Sequence, residues 1–411
     1  MKIKKKILKK IHKIIKKNNT PFWLYKKSVI LKQIKKLKKF DVIRFAQKSC
    51  SNINILKIIK KKKLKIDVVS LGEIERALIA GFSPKNDEIV FTSDIFDSET
   101  LLRIVNLNIT VNIGSIDMIK QLGKISPGHN IWIRINPKFG YGHNRKTNTG
   151  GENSKHGIWN IKSAIKKIEK YKLKLSGIHI HIGSGVNLKN LKKVCKTMEK
   201  KVIEINKKIN VISSGGGLLT PYKPNEKEIN VKKHYKYWKN TKNKIEKFLN
   251  KKILLETEPG RFITSKSGLL ISQVRAIKKT NKYKFILINA GFNDLMRPIM
   301  YGSYHNISVI NKNNFKIKKK NSENVVIAGP ICESGDIFTQ KNNGNIITRN
   351  LPKIKVGDYI IFHDVGAYGA SMSSNYNSRP LISEFLLTSK NKIKKIRRKQ
   401  NIKELINLEI I

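Results

Sequence analysis

The chain of 411 residues predicts an α/β protein, a closed parallel (β/α)8 TIM-type barrel followed by a C-terminal all-β domain. Three observations predict it. Eight short apolar runs alternate with longer helical patterns between residues 41 and 259. From about residue 262, strand-like runs follow one another with turns and little helix between them. The stretch TPFWLYKK (20–27) reads as a strand, precedes the first barrel run and has no slot in the barrel, which assigns it to the β-domain. An open doubly wound sheet is the alternative for the same alternation.

The barrel candidates are DVIRFAQ (41–47), KIDVVS (65–70), EIVFTS (88–93), ITVNIG (109–114), IWIRINP (131–137), LSGIHIHIG (175–183), NVISSGG (210–216) and ILLETEP (253–259). The β-domain candidates are LLISQVRAIKK, KFILINAG, NVVIAGP and DYIIFHD, with NKNNFKIKKKNSEN (311–324) as a solvated loop. The predicted divisions are 1–30 for an N-terminal helix and strand, 31–262 for the barrel and 263–411 for the β-domain. MKIKKKILKKIHKIIKKNN reads as a short surface helix. It lacks the arginine and serine of transit peptides and the uncharged core of a secretory signal.

Lysine and arginine total 85 against 28 aspartates and glutamates, a formal net charge of +57. Such a balance suggests a nucleic-acid or anionic-membrane partner. Its distribution argues against one. Lysine runs along almost the whole chain beside asparagine and isoleucine, the residues with the codons richest in A and T. A nucleic-acid footprint would instead cluster on one face and favour arginine, which is scarce here. Base drift accounts for the charge. No apolar run is long enough to cross a bilayer, so no membrane partner is expected. Cys50, Cys195 and Cys332 are odd in number and widely spaced; no metal or disulfide pattern emerges, and a cytoplasmic location follows as the default.

In a parallel barrel the working residues lie at the carboxyl ends of the strands. Those ends supply Lys48, Glu73, Arg134, His179 and His181 in HIHIGSG, the glycines of SGGG, and ETEPGRF (256–262). The run Gly215-Gly216-Gly217 alone reads as a plain loop. Paired with Arg261 one strand later, it reads equally well as an anion site. His179 reads as an ordinary barrel-interior residue; His181, beside the Gly-Ser that ends the run, reads as interior or ligand-facing. Glu258 reads either as a salt-bridge partner of Arg261 or as the carboxylate facing a cationic ring nitrogen.

RFAQKSCSN, DVVSLGEIERAL, GIHIHIGSG, SGGG, EPGR, INAGFNDLMRPIMYGSYH, AGPICESGD and HDVGAYGASMSSNYNSRP resemble, in order, the motifs of the diaminopimelate decarboxylases. These are pyridoxal 5'-phosphate enzymes of the barrel-plus-β-domain class that includes ornithine decarboxylase and alanine racemase. The resemblance runs from about Thr20 to the end of the chain. It implies that Lys48 forms the Schiff base with the cofactor, that His181 stacks on its ring, and that Ser184 and Gly215 to Gly217 contact its phosphate. It implies that Glu258, in the Glu258-Pro259-Gly260-Arg261 segment, faces the ring nitrogen, with Arg261 at the phosphate and substrate end. Arg297 and Tyr301 match substrate-carboxylate contacts, and Tyr368 a contact to phosphate and substrate. Cys332 and Glu333 match residues that a second subunit contributes, which implies a homodimer with shared active sites; Glu73 and Arg134 fall at supporting positions. Two departures stand out: Ser49-Cys50 replaces the usual alanine-asparagine, and His156 stands where phenylalanine is common in SKxG.

The implied reaction is decarboxylation of meso-2,6-diaminopimelate to L-lysine, the last step of lysine biosynthesis. Cys332 is the candidate proton donor, with a buried thiol as the competing reading. Arg261, Arg297 and Glu333 would read the far end of this small-molecule substrate. An ornithine or arginine decarboxylase would need an acidic distal pocket, against which Arg297 argues. An alanine racemase has no use for CESGD, and the full set of reacting residues speaks against a decayed homologue or a basic RNA-binding protein.

Overall fold

The computed structural model describes residues 5–142, 144–319 and 321–410, which divide into two compact units. One comprises Gln33–Thr220 and Lys227–Phe262; the other comprises Met1–Lys32, Pro221–Glu226 and Ile263–Ile411.

The first unit is a closed barrel. Numbering strands along the chain, with β1 at Phe22–Lys26, its staves are β2 (Val42–Ala46), β3 (Lys65–Val68), β4 (Ile89–Ser93), β5 (Thr110–Ile113), β6 (Asn130–Arg134), β7 (Lys174–His179), β8 (Val211–Ser213) and β9 (Leu254–Thr257). Each pairs in parallel with its neighbour, and β2 closes on β9 through Val42 opposite Glu256. The predicted runs and the staves coincide, apart from their ends. β7 stops at His179, so His181 lies two residues beyond the end of the strand, on the loop that follows it.

Why these segments become barrel units is visible locally. The helices after β3, β4 and β5 open on Ser70, Asp97 and Ser115, whose side chains accept the backbone N–H of Glu73, Thr100 and Met118. Val90, Trp132 and Val211 pack together in the barrel core.

The second unit is a mixed sheet ordered β14–β13–β11–β10–β1–β16–β17, with β10 (Gly268–Lys279), β11 (Lys284–Ile288), β12 (Ile307–Ile310), β13 (Ser322–Ala328), β14 (Arg349–Pro352), β15 (Tyr359–His363), β16 (Ser383–Leu387) and β17 (Ile393–Arg397). β12 pairs with β15, which pairs with β10. The N-terminal strand β1 is a wholly buried interior strand of this sheet, antiparallel to β10 and parallel to β16. Helix α1 (Lys5–Asn18) lays Leu8, Ile11 and Ile14 into the core formed by Phe22, Leu24, Leu269, Ile271 and Phe385. Each such side chain contributes roughly 1.5–3 kcal/mol on burial, so the predicted surface helix is half a core element. Within the predicted loop 311–324, the described residues 311–319 and 321–324 are likewise less solvated than predicted. Phe315 and Ile317 pack against the same core, and β13 begins at Ser322.

Among the described residues, no helix is long and apolar enough to cross a membrane.

Candidate active site

β2 delivers Lys48 on the short turn Gln47–Ser49. Ser49 Oγ donates to the Ala46 carbonyl at 2.9 Å, and Gln47 Nε2 donates to the Glu73 carbonyl at 3.1 Å. These bonds bury Gln47 and Ser49, and leave Lys48 exposed between them. The buried Pro259-Gly260 step closes against the same turn. A Cβ on Gly260 would stand 2.9 Å from Ser49 Cβ and 3.1 Å from the Ala46 carbonyl, so only glycine fits.

Three acids share the barrel mouth with this lysine. Asp67, buried at the end of β3, is pushed up by burial and then by the charge of Glu258, while Lys48 and a hydrogen bond from Thr92 oppose the shift. Its Oδ1 has no hydrogen-bond partner among the described residues. Glu73, in the first turn of the helix after β3, accepts the Val69 N–H at 3.0 Å. Burial and the neighbouring Asp67 push it up to about 7. Glu258 goes the other way. Burial opposes its charge, yet His179 and a hydrogen bond from Ser213 hold it well below the usual carboxylate range. His179 Nε2 lies 2.8 Å from Glu258 Oε2, and Ser213 Oγ donates to Oε1 at 2.8 Å. The pairing with Arg261 considered from sequence is therefore not what holds Glu258, and His179 is not an idle interior residue. Arg134, buried at the end of β6, faces Asp94, Glu258 and Asp67.

Beyond β8 the chain turns through Gly215 and Gly217 at φ values of +60° and +86°. A Cβ on Gly216 would lie 2.3 Å from the Glu258 carbonyl. The Gly217 carbonyl accepts the N–H groups of Gly185 and Val186 at 2.9 and 2.8 Å, which locks this loop to the one carrying Ser184. His181 accepts the Gly216 N–H on Nδ1 at 3.3 Å. Burial, then the charges of Arg134 and Lys48, lower it well below the ordinary histidine range and keep its ring neutral. Arg261 begins a helical turn directly after Gly260 and is partly exposed.

This arrangement fits a phosphorylated pyridine aldehyde. It offers a backbone cradle with no room for side chains, a flat neutral imidazole, an ionised carboxylate for a ring nitrogen, and an accessible amine. Among the described residues, no group of three or more His, Cys, Asp or Glu side chains could hold a metal ion.

The remaining candidates belong to the β-unit. Arg297 is buried at the start of the helix Arg297–Tyr301, lies over the Tyr222 ring at 5.1 Å and donates to Ser303 Oγ at 3.1 Å. Tyr301 ends that helix half-buried. Tyr368 is held at φ +55°, uncommon for an aromatic residue and a frequent mark of a functional position. Cys332 and Glu333 are exposed on a loop, and the buried-thiol reading of Cys332 is overturned. Asp336, the last residue of CESGD, clamps that loop: its Oδ1 accepts the Phe292 N–H and its Oδ2 the Ile331 N–H, both at 2.8 Å. His156 pairs through Nδ1 with Asp94, so the unusual histidine of SKxG ties its loop to the end of β4.

Sequence reasoning missed Asp67, Ser213 and Asp336. Asp67 leaves a signal, a lone acid within an apolar strand run. Ser213 leaves none, being one of two serines before the glycines.

A family model for the pyridoxal-dependent decarboxylases, pyridoxal binding domain, matches residues 27–265. The chain is 62% identical over 396 residues to the diaminopimelate decarboxylase of Buchnera aphidicola subsp. Schizaphis graminum, covering 96% of this chain and 95% of the relative. A crystal structure of diaminopimelate decarboxylase superimposes with a TM-score of 0.96 at 50% identity, over 98% of this chain and 97% of that one. The Helicobacter pylori diaminopimelate decarboxylase, solved in complex with L-lysine, gives a TM-score of 0.84 at 30% identity, over 97% of this chain and 99% of that one.

Proposed function

The chain belongs to the diaminopimelate decarboxylase family, and from that premise we propose that it decarboxylates meso-2,6-diaminopimelate to L-lysine and CO2 with pyridoxal phosphate as cofactor. The observation that carries the reading is Glu258, a buried carboxylate kept ionised by His179 and Ser213 at the barrel mouth that also holds Lys48.

When bound, pyridoxal phosphate supplies an aldehyde that captures amines and a pyridine ring that takes up the electrons released with CO2. The protein's own residues do the rest. The Lys48 amine would hold the aldehyde end between turnovers and would be released as a free amine when the substrate amine takes its place, receiving the two hydrogens which that amine gives up. Backbone N–H groups of Gly215 to Gly217, with Ser184 and Arg261, neutralise the phosphate. His181 supports one ring face. Glu258 places a negative charge at the ring nitrogen and keeps a proton there.

Substrate recognition falls to Arg297, Tyr301 and Tyr368, with Glu333 reading the distal ammonium and Arg261 the distal carboxylate. The Cys332 Sγ–H returns a proton to the carbon that lost CO2. Exposure of Cys332 and Glu333 supports their serving the site of a second subunit, in a cytoplasmic homodimer with two shared sites. The excess lysines need no nucleic-acid partner.

The deciding experiment is lysine release from meso-diaminopimelate, with ornithine as the comparison substrate. Turnover of the first and not the second is expected; turnover of ornithine alone would overturn the substrate assignment.

A further inference from the structure

We propose that His179 is a positioning residue for this reaction: with Ser213 it fixes the Glu258 carboxylate toward the ring nitrogen of the cofactor. The inference rests on the functional reading above but concerns a residue whose part is set by the barrel alone.

Strand register puts the three side chains together. Arg134 on β6, His179 on β7 and Ser213 on β8 are successive lateral partners, and Ser213 lies opposite Glu256 on β9. Glu258 is two residues beyond Glu256, so its side chain leaves the chain on the same side, one step nearer the mouth. There it meets one donor on each oxygen, His179 Nε2 and Ser213 Oγ, both at 2.8 Å. The His179 and Glu258 side chains are 1% and 8% exposed, so solvent does not substitute for either donor.

The other groups that face Glu258 are otherwise engaged. Arg44 is bound through two nitrogens to Glu256. His181 spends Nδ1 on the Gly216 N–H. Arg134 answers to Asp94 and Asp67 as well as to Glu258. Asp67 opposes a negative Glu258, because the two buried acids repel each other. Removing the His179 donor tips this pair. Glu258 then keeps the burial that opposes its charge and loses a donor that favours it, so it takes up a proton more readily, and a protonated Glu258 no longer accepts the ring N–H.

A merely structural histidine would change stability and leave the cofactor's electronic properties alone. The test therefore uses purified holoenzyme of wild type, His179→Leu, His179→Gln and Ser213→Ala. It reads the pH midpoint of the visible cofactor band, the pyridoxal phosphate dissociation constant, and kcat and KM on meso-diaminopimelate. His179→Leu is expected to move the midpoint by about one pH unit and weaken cofactor binding about tenfold, as loss of a hydrogen bond to a charged group implies. It should lower kcat while KM stays within about threefold. His179→Gln, which keeps an N–H donor, should recover most of the cofactor spectrum. A folded His179→Leu with wild-type midpoint, cofactor affinity and kcat would overturn the proposal. Should that variant not fold, Ser213→Ala decides by the same two titrations, and no change in either overturns it. A wild-type protein that releases no lysine would sink the functional reading, while the cofactor titrations would still judge His179.

Discussion

Arg44 and Glu256 face each other inside the barrel through two parallel hydrogen bonds, Nε to Oε2 at 2.8 Å and Nη2 to Oε1 at 2.9 Å. Their side chains are 0% and 1% exposed, and the Arg44 guanidinium lies 5.1 Å from the Trp132 ring. Nη1 adds the Asp87 carbonyl at 2.9 Å, so the fork is satisfied on all sides.

A buried pair of this kind is expensive to break and cheap to replace whole. Glu256→Gln or Arg44→Met alone should destabilise the protein by about 3 kcal/mol or more in urea unfolding. The double replacement Arg44→Met with Glu256→Leu should recover most of that loss. Additive losses in the double variant would contradict this account.

The pH dependence of stability should carry the mark of Glu73. Its folded value is raised from 4.5 to about 7, by burial and then by Asp67. Below about pH 4.5 both folded and unfolded states hold the proton, and no penalty applies. Between there and pH 7 the unfolded state loses its proton first, so stability falls as pH rises, by about 1–3 kcal/mol. Cofactor-free Glu73→Gln should therefore gain stability over wild type at pH 8 and lose that advantage at pH 4. Equal gains at both pH values would refute the linkage.

Gly216→Ala tests the cradle. A Cβ 2.3 Å from the Glu258 carbonyl forces the loop to shift. Thermal stabilisation by pyridoxal phosphate should largely disappear, with affinity down by about 100-fold, equivalent to ~2.7 kcal/mol. Retained stabilisation would show that the phosphate is held elsewhere.

Subunit mixing tests the shared site. Lys48→Ala and Cys332→Ala should each be inactive alone, Lys48→Ala also lacking the visible band of the lysine-bound cofactor. Mixed one to one, they should recover about a quarter of wild-type activity, because half the dimers would carry one intact site. No recovery after verified subunit exchange would place Cys332 in its own subunit's site or outside catalysis.

The sequence by itself determined the barrel, the β-sheet unit and the place of Lys48 at the end of the first barrel strand. Apolar runs of strand length between amphipathic helices recur with a short period, and burial of each run is decided within a few residues of itself. Lys48 was legible because it ends the first such run, and the glycine loops and EPGR were legible as contiguous motifs.

What only the tertiary structure decided is which side chains meet. His179 and Glu258 are 79 residues apart and touch because closure and register of the barrel bring the ends of β7, β8 and β9 to one level. Asp336 and Phe292 are joined across 44 residues in the same way. Isolated acids and histidines carry no periodic signal of their partners. Their ionisation depends on burial and on charges supplied by other strands, and those quantities exist only once the chain has folded.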